Sequence, residues 1–121
     1  MPSQYSAQFC KSYRLLKPSE FKFVFDQPNK VSTYSFLTFS RESQSKYSRI
    51  GLAISKKNAK LAVDRNRIKR LVRESFRLNR DKLPEIDIVV LAKRGIVVQE
   101  NDALQKQLFG LWKKLARHYE A

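Results

Sequence analysis

Apolar residues recur along this chain with two different periods, and the periods mark out its elements. From Pro18 to Asp26, Phe21, Val24 and Phe25 repeat at i, i+3, i+4, which predicts a short helix. Pro18 suits its first turn, and Pro28 ends it by disfavouring helical geometry in the preceding residue. Val31 to Arg41, VSTYSFLTFSR, is rich in β-branched and aromatic residues and reads as strand. A polar loop from Glu42 to Ser48 leads to a second strand, Arg49 to Ser55. Its two faces differ sharply: Ile50, Leu52 and Ile54 are bulky, whereas Gly51, Ala53 and Ser55 are nearly bare. Small residues on one face allow something to approach the sheet closely, either a packed helix or a ligand. Lys56 to Val63 is a loop, and a long helix follows from Val63 to Arg80, with Asp64 as its expected N-cap. Ile86, Ile88, Val89, Val90 and Leu91 form an almost unbroken apolar run, as a strand buried on both faces does. The last helix spans Asn101 to Tyr119, with Leu104, Leu108, Leu111, Trp112, Leu115 and Tyr119 on one side. Strand, helix and strand across residues 49 to 92 predict a parallel βαβ crossover.

The long central helix is where charge changes the picture. At about 3.6 residues per turn, Ile68, Leu71, Val72 and Phe76 share one side. Asn66, Arg70, Arg73 and Arg77 fall on the opposite side, flanked by Lys69 and Arg80, with Arg67 on the other shoulder. Only Glu74 dilutes this cationic face, and Lys56, Lys57 and Lys60 add to it just upstream. A solvated surface helix mixes both signs through i,i+4 pairs; here like charges crowd one face, and a polyanion relieves their repulsion.

Composition extends the same inference to the whole chain. Its 121 residues hold 25 Lys and Arg against 11 Asp and Glu, for a net charge of +14. That points to nucleic acid or an anionic membrane surface. No apolar run approaches the ~20 residues that span a bilayer, and the N-terminal MPSQYSAQFCKSY lacks the apolar region of a secretory signal. The one cysteine, Cys10, makes no internal disulfide and no metal site by itself. The expectation is one cytoplasmic RNA-binding domain over residues 1–121, with residues 1–13 as a loose arm. Carboxylates are scattered: Glu85 with Asp87 and Glu100 with Asp102 read as ordinary loop, strand-edge or helix-start residues. With a lone His118 in the last helical turn and three glycines at 51, 95 and 110, neither a nuclease centre nor a phosphate loop assembles. RNA is favoured over DNA, because no zinc-finger spacing, zipper heptad or helix-turn-helix accompanies the basic helix. Three phenylalanines in five residues, Phe21, Phe23 and Phe25, cannot all point into one core, so at least one is expected to be exposed for base stacking. Trp112 and His118 are read as core and surface residues.

The segment DRNRIKRLVRESFR, Asp64 to Arg77, closely resembles the protein subunit family of bacterial ribonuclease P, whose RNR signature stands here as Arg65, Asn66 and Arg67. RLLKPSEFKFVF (14–25), RIGLAISKKNAK (49–60) and LPEIDIVVLAKRG (83–95) resemble the family in order and spacing. The resemblance implies an α+β fold, an α/β sandwich with a small central mixed sheet and three helices in the order αβββαβα. It also implies that the basic helix lies in a left-handed βαβ crossover, against the usual right-handed preference. The family's catalysis belongs to a large RNA subunit that holds Mg²⁺ and cuts precursor tRNA at its mature 5′ end. By position, Lys56, Lys57, Arg65, Asn66, Arg67, Lys69, Arg70 and Arg73 are then implied to contact RNA, and the charge pattern adds Lys60 and Arg77. Phe21, Phe25 and Phe39 are implied to line a cleft for the 5′ leader, with Arg14 and Lys17 near its mouth. Phe39 stands where some members carry tyrosine, so that hydroxyl contact is missing here. The partners so implied are the catalytic RNA and the precursor-tRNA leader, with no membrane and no obligate protein partner. Two other readings stay open: a stand-alone or ribosome-associated RNA-binding module, and a self-sufficient metal-dependent nuclease using Asp87 or Asp102.

Overall fold

A computed structural model describes residues 14, 15, 17–43 and 48–119. The expected arm at residues 1–13 and most of the loop between Glu42 and Ser48 lie outside them. The described chain runs α1 (Pro18–Asp26), β1 (Asn29–Ser32), β2 (Phe36–Glu42), β3 (Arg49–Ala53), α2 (Ala62–Asn79), β4 (Ile86–Ala92) and α3 (Asn101–His118), with short 3₁₀ turns at Arg80–Lys82 and Ile96–Val98. This is the expected αβββαβα order.

The sheet has the order β1-β2-β4-β3. β1 and β2 pair antiparallel, as do β2 and β4, while β3 and β4 pair parallel across the α2 connection. The stretch Val31–Arg41 is therefore a hairpin and not one strand. Thr33, Tyr34 and Ser35 turn the chain, and Gln107 of α3 holds the turn, accepting bonds from Thr33 Oγ1 at 3.0 Å and the Ser35 N–H at 2.7 Å. A turn fixed by a side chain 72 residues away has no local signal.

Alternation along the strands divides the protein into layers. Phe36 of β2, Ile50 of β3 and Ile86, Ile88, Val90 and Ala92 of β4 face one side. There they meet Ile68, Val72 and Phe76 of α2 and Leu104, Leu108, Leu111, Trp112 and Leu115 of α3. Trp112 is core, as expected, edge-on to Phe76 at 5.9 Å, with its indole N–H donating to Ser75 Oγ at 2.8 Å. His118 is exposed. α2 begins one residue earlier than predicted: Leu61 is its N-cap and Asp64 lies inside the first turn, where a carboxylate still favours the helix dipole.

The opposite face carries α1. The sheet register aligns Arg49, Asp87 and Arg41 in one row, Gly51, Val89 and Phe39 in the next, and Ala53, Leu91 and Leu37 in the third. Val24 is buried with Leu15 and Val89, and Phe21 packs beside them. The bare face of β3 is what admits α1: a Cβ on Gly51 would stand 2.7 Å from Phe21 Cζ and 3.0 Å from Leu15 Cβ. Polar contacts hold the helix at both ends. Asp87, fully buried, accepts from Arg49 Nε at 2.9 Å and Nη2 at 2.8 Å and from Ser43 Oγ at 2.8 Å, and Arg49 Nη1 reaches Glu20 of α1 at 3.1 Å. Asp87 is thus a buried structural carboxylate, not the ordinary strand-edge residue that its sequence position suggested. Towards the other end, Arg41 donates to the Phe23 carbonyl at 2.8 Å and lies 3.9 Å over its ring.

Candidate nucleic-acid interface

With Ile68, Val72 and Phe76 buried, α2 turns its cationic side away from the core. Asn66 and Arg70 are exposed, and Lys69, Arg73 and Arg77 are half-buried. Arg77 is paired with Glu74, Nε donating to Oε2 at 2.9 Å. The two arginines of the RNR signature do structural work as well. Arg65 Nη1 donates to the Ala59 and Lys60 carbonyls, both at 2.8 Å, fastening the lysine-bearing loop to the helix. Arg67 reaches across to the start of α3, donating to Asn101 Oδ1 at 2.6 Å and the Val97 carbonyl at 3.2 Å. Charge pattern alone does not separate arginines tied to backbone from arginines facing solvent.

Lys56, Lys57 and Lys60 are exposed on the connection from β3 to α2. Asn58, which carries no signal in the sequence pattern, positions them: its Nδ2 donates to the Ala92 carbonyl at 2.9 Å, and its N–H bonds Ser55 Oγ at 3.2 Å. The buried Ala59 follows it, so this lysine turn is anchored on the end of β4.

On the α1 face, Phe21 and Phe39 pack against Leu15, Val24 and Val89, and Phe25 meets Phe39. Phe25 is 43% exposed and meets Phe39 edge-on at 5.2 Å; Phe21 and Phe39 are half-buried. Phe25 satisfies the requirement that one of the three clustered phenylalanines face water. The third row of the sheet stays partly open beside them, with Leu37 and Leu91 half-buried and Ala53 exposed. That apolar floor was not anticipated, because it depends on strand register. Lys17 is exposed at the N-cap of α1, its N–H satisfied by Glu20 Oε1 at 2.9 Å.

Arg14 lies at the β3 edge of the sheet. It bridges to Ile50 alongside β3, and the next residue's N–H donates to the Ile50 carbonyl at 2.9 Å. Burial, with the charge of Arg14 adding to it, pushes the Arg73 guanidinium below its ordinary pKa. Among the described residues no three His, Cys, Asp or Glu side chains gather into a possible metal site, and the oxygens of Asp87 are engaged by Arg49 and Ser43. These residues do not fit a protein-held catalytic metal.

A sequence model of the ribonuclease P family matches residues 9–116. The chain belongs to the ribonuclease P protein family. It is 51% identical over 113 residues to the ribonuclease P protein component of Ectopseudomonas mendocina, covering 93% of this chain and 84% of that one. It is 47% identical over 116 residues to that of Idiomarina loihiensis, covering 95% and 93%. Among solved structures, the Staphylococcus aureus RNase P protein superposes with a TM-score of 0.80 at 26% identity, over 91% of this chain and all of that one. The Thermotoga maritima RNase P protein gives 0.74 at 28%, over 84% and 96%. The α+β architecture expected from the RNR resemblance is the architecture found.

Proposed function

We propose that this chain is the RNA-docking and leader-holding subunit of a ribonuclease P whose active site is made of RNA. The exposed side of α2 and the Lys56–Lys60 turn neutralise phosphates of the catalytic RNA, and the α1 cleft holds the 5′ leader of precursor tRNA. The cationic side of α2 turned away from the core, with Asn66 and Arg70 exposed on it, is the observation that carries this reading. A leader emerging from tRNA bound on the RNA subunit meets cations first and then stacks on Phe21, Phe25 and Phe39. Holding it there raises the local concentration of substrate and aligns the scissile phosphate. The Mg²⁺ of the reaction is held by the RNA subunit, and hydrolysis leaves the mature tRNA 5′ end. The protein acts in the cytoplasm as a single RNA-binding domain and needs no second protein.

Equilibrium binding of precursor and mature tRNA to the reconstituted holoenzyme tests this. Phe21→Ala removes a stacking surface and is expected to weaken binding of precursor tRNA by roughly 5- to 150-fold, leaving mature tRNA, which has no leader, unchanged. Equal loss for both substrates removes Phe21 from the cleft.

A further inference from the structure

A groove of about 420 Å³ runs between α2 and the beginning of α3, within the range of clefts that take small ligands, about 300–1,000 Å³. Two helical lines face each other across it. Asn66, Arg70 and Glu74 stand on α2 at steps of four, and Asn101 and Gln105 stand on α3 at the same step. Val63 and Leu71 add apolar surface. We propose that this groove receives one unpaired base of the partner RNA and selects a base bearing an exocyclic amino group over uracil. The inference rests on the RNA-docking role of α2 given above and specifies what α2 recognises.

The polar groups are already oriented. Arg67 has only donors, so the atom of Asn101 facing it at 2.6 Å is the carbonyl oxygen. The Asn101 amide nitrogen is therefore turned the other way, as a donor. Arg77 places both its bonds on Glu74 Oε2, which leaves Oε1 to accept. A groove meant for phosphate alone gains nothing from a carboxylate, which repels it. A carboxylate suits an amino group instead, as acidic side chains accept from the amino group of cytosine. Uracil presents a carbonyl oxygen in the corresponding position, setting acceptor against acceptor. Val63 and Leu71 offer contact to the ring face, and Arg70 is placed to neutralise the attached phosphate.

The test uses the full chain and three RNA pentamers, r(A5), r(C5) and r(U5), followed through the side-chain amide NMR signals of Asn66, Asn101 and Gln105. Binding of the catalytic RNA is measured alongside. Expected are shifts at these amides, with r(A5) and r(C5) binding at least about five-fold more tightly than r(U5). Glu74→Gln is expected to bring the three affinities together, because its amide both donates and accepts. Equal affinities in the unaltered protein overturn the inference, as does RNA binding that leaves these three side-chain amides unshifted. So does a Glu74→Gln change that raises all three affinities by one factor, since that reports only the loss of a negative charge. Those results leave catalytic-RNA binding intact, whereas failure of the unaltered protein to bind that RNA overturns the docking role and the groove with it.

Discussion

Asp87→Asn probes what holds α1 on the sheet, and its cost can be worked from the contacts. Asp87 is fully buried, with Oδ1 accepting from Arg49 Nε and Ser43 Oγ and Oδ2 accepting from Arg49 Nη2. Asparagine keeps the shape but turns one oxygen into an NH₂ group. In one amide orientation that donor faces Arg49 Nη2; in the other it faces Arg49 Nε and Ser43. Either way a buried donor meets a donor, and Arg49 loses its main counter-charge. Breaking a buried pair from one side costs about 3–5 kcal/mol. Arg49 keeps Glu20, and its side chain is 17% exposed, so the lower end applies: about 3 kcal/mol. With a slope of about 2 kcal/mol per molar urea, the unfolding midpoint falls by about 1.5 M. Urea denaturation followed by circular dichroism reads this directly. Replacing both partners, Arg49→Met with Asp87→Leu, removes the pair without stranding a charge and is expected to recover most of the loss. A midpoint shift under about 0.5 M for Asp87→Asn, or a double variant no better than the single one, refutes the reasoning.

Other substitutions test separate parts of the structure. Gly51→Ala puts a methyl group 2.7 Å from Phe21 Cζ, so it is expected to cost about 1–3 kcal/mol in the same denaturation assay. Gly110→Ala meets nothing within 4 Å in the middle of α3 and is expected to stabilise the protein by about 0.5–1 kcal/mol. Arg67→Ala loses the bonds that tie α2 to the start of α3 and is expected to lower both thermal stability and affinity for the catalytic RNA. Arg70→Ala, at an exposed position, is expected to lower that affinity and its salt dependence with an unchanged melting temperature.

Some of this was legible in the sequence because the deciding signals are local. Pro18 and Pro28 bracket α1, and its limits agree residue for residue with the expectation. The bare face of β3 announced a close approach but left helix and ligand open; Phe21 seated over Gly51 resolves it in favour of a helix. The β1–β2 turn escaped because Thr33, Tyr34 and Ser35 carry no turn signature and depend on Gln107. The buried role of Asp87 has no local signal, because its partner Arg49 lies 38 residues earlier and is adjacent only through parallel pairing. In the interface, the cationic side of α2 follows from helical periodicity, and the aromatic cluster follows from the family resemblance. The floor of Leu37, Leu91 and Ala53, and the tying of Arg65 and Arg67 to backbone carbonyls, required the register and packing that only the folded chain supplies.

The proposed role has this protein assist an RNA active site without cutting by itself. Precursor-tRNA cleavage at low Mg²⁺, with catalytic RNA alone, protein alone and the two together, tests it most directly. Efficient cutting at the mature 5′ end is expected only in the mixture. Cleavage by the protein without RNA, or a mixture no faster than the RNA alone, contradicts it.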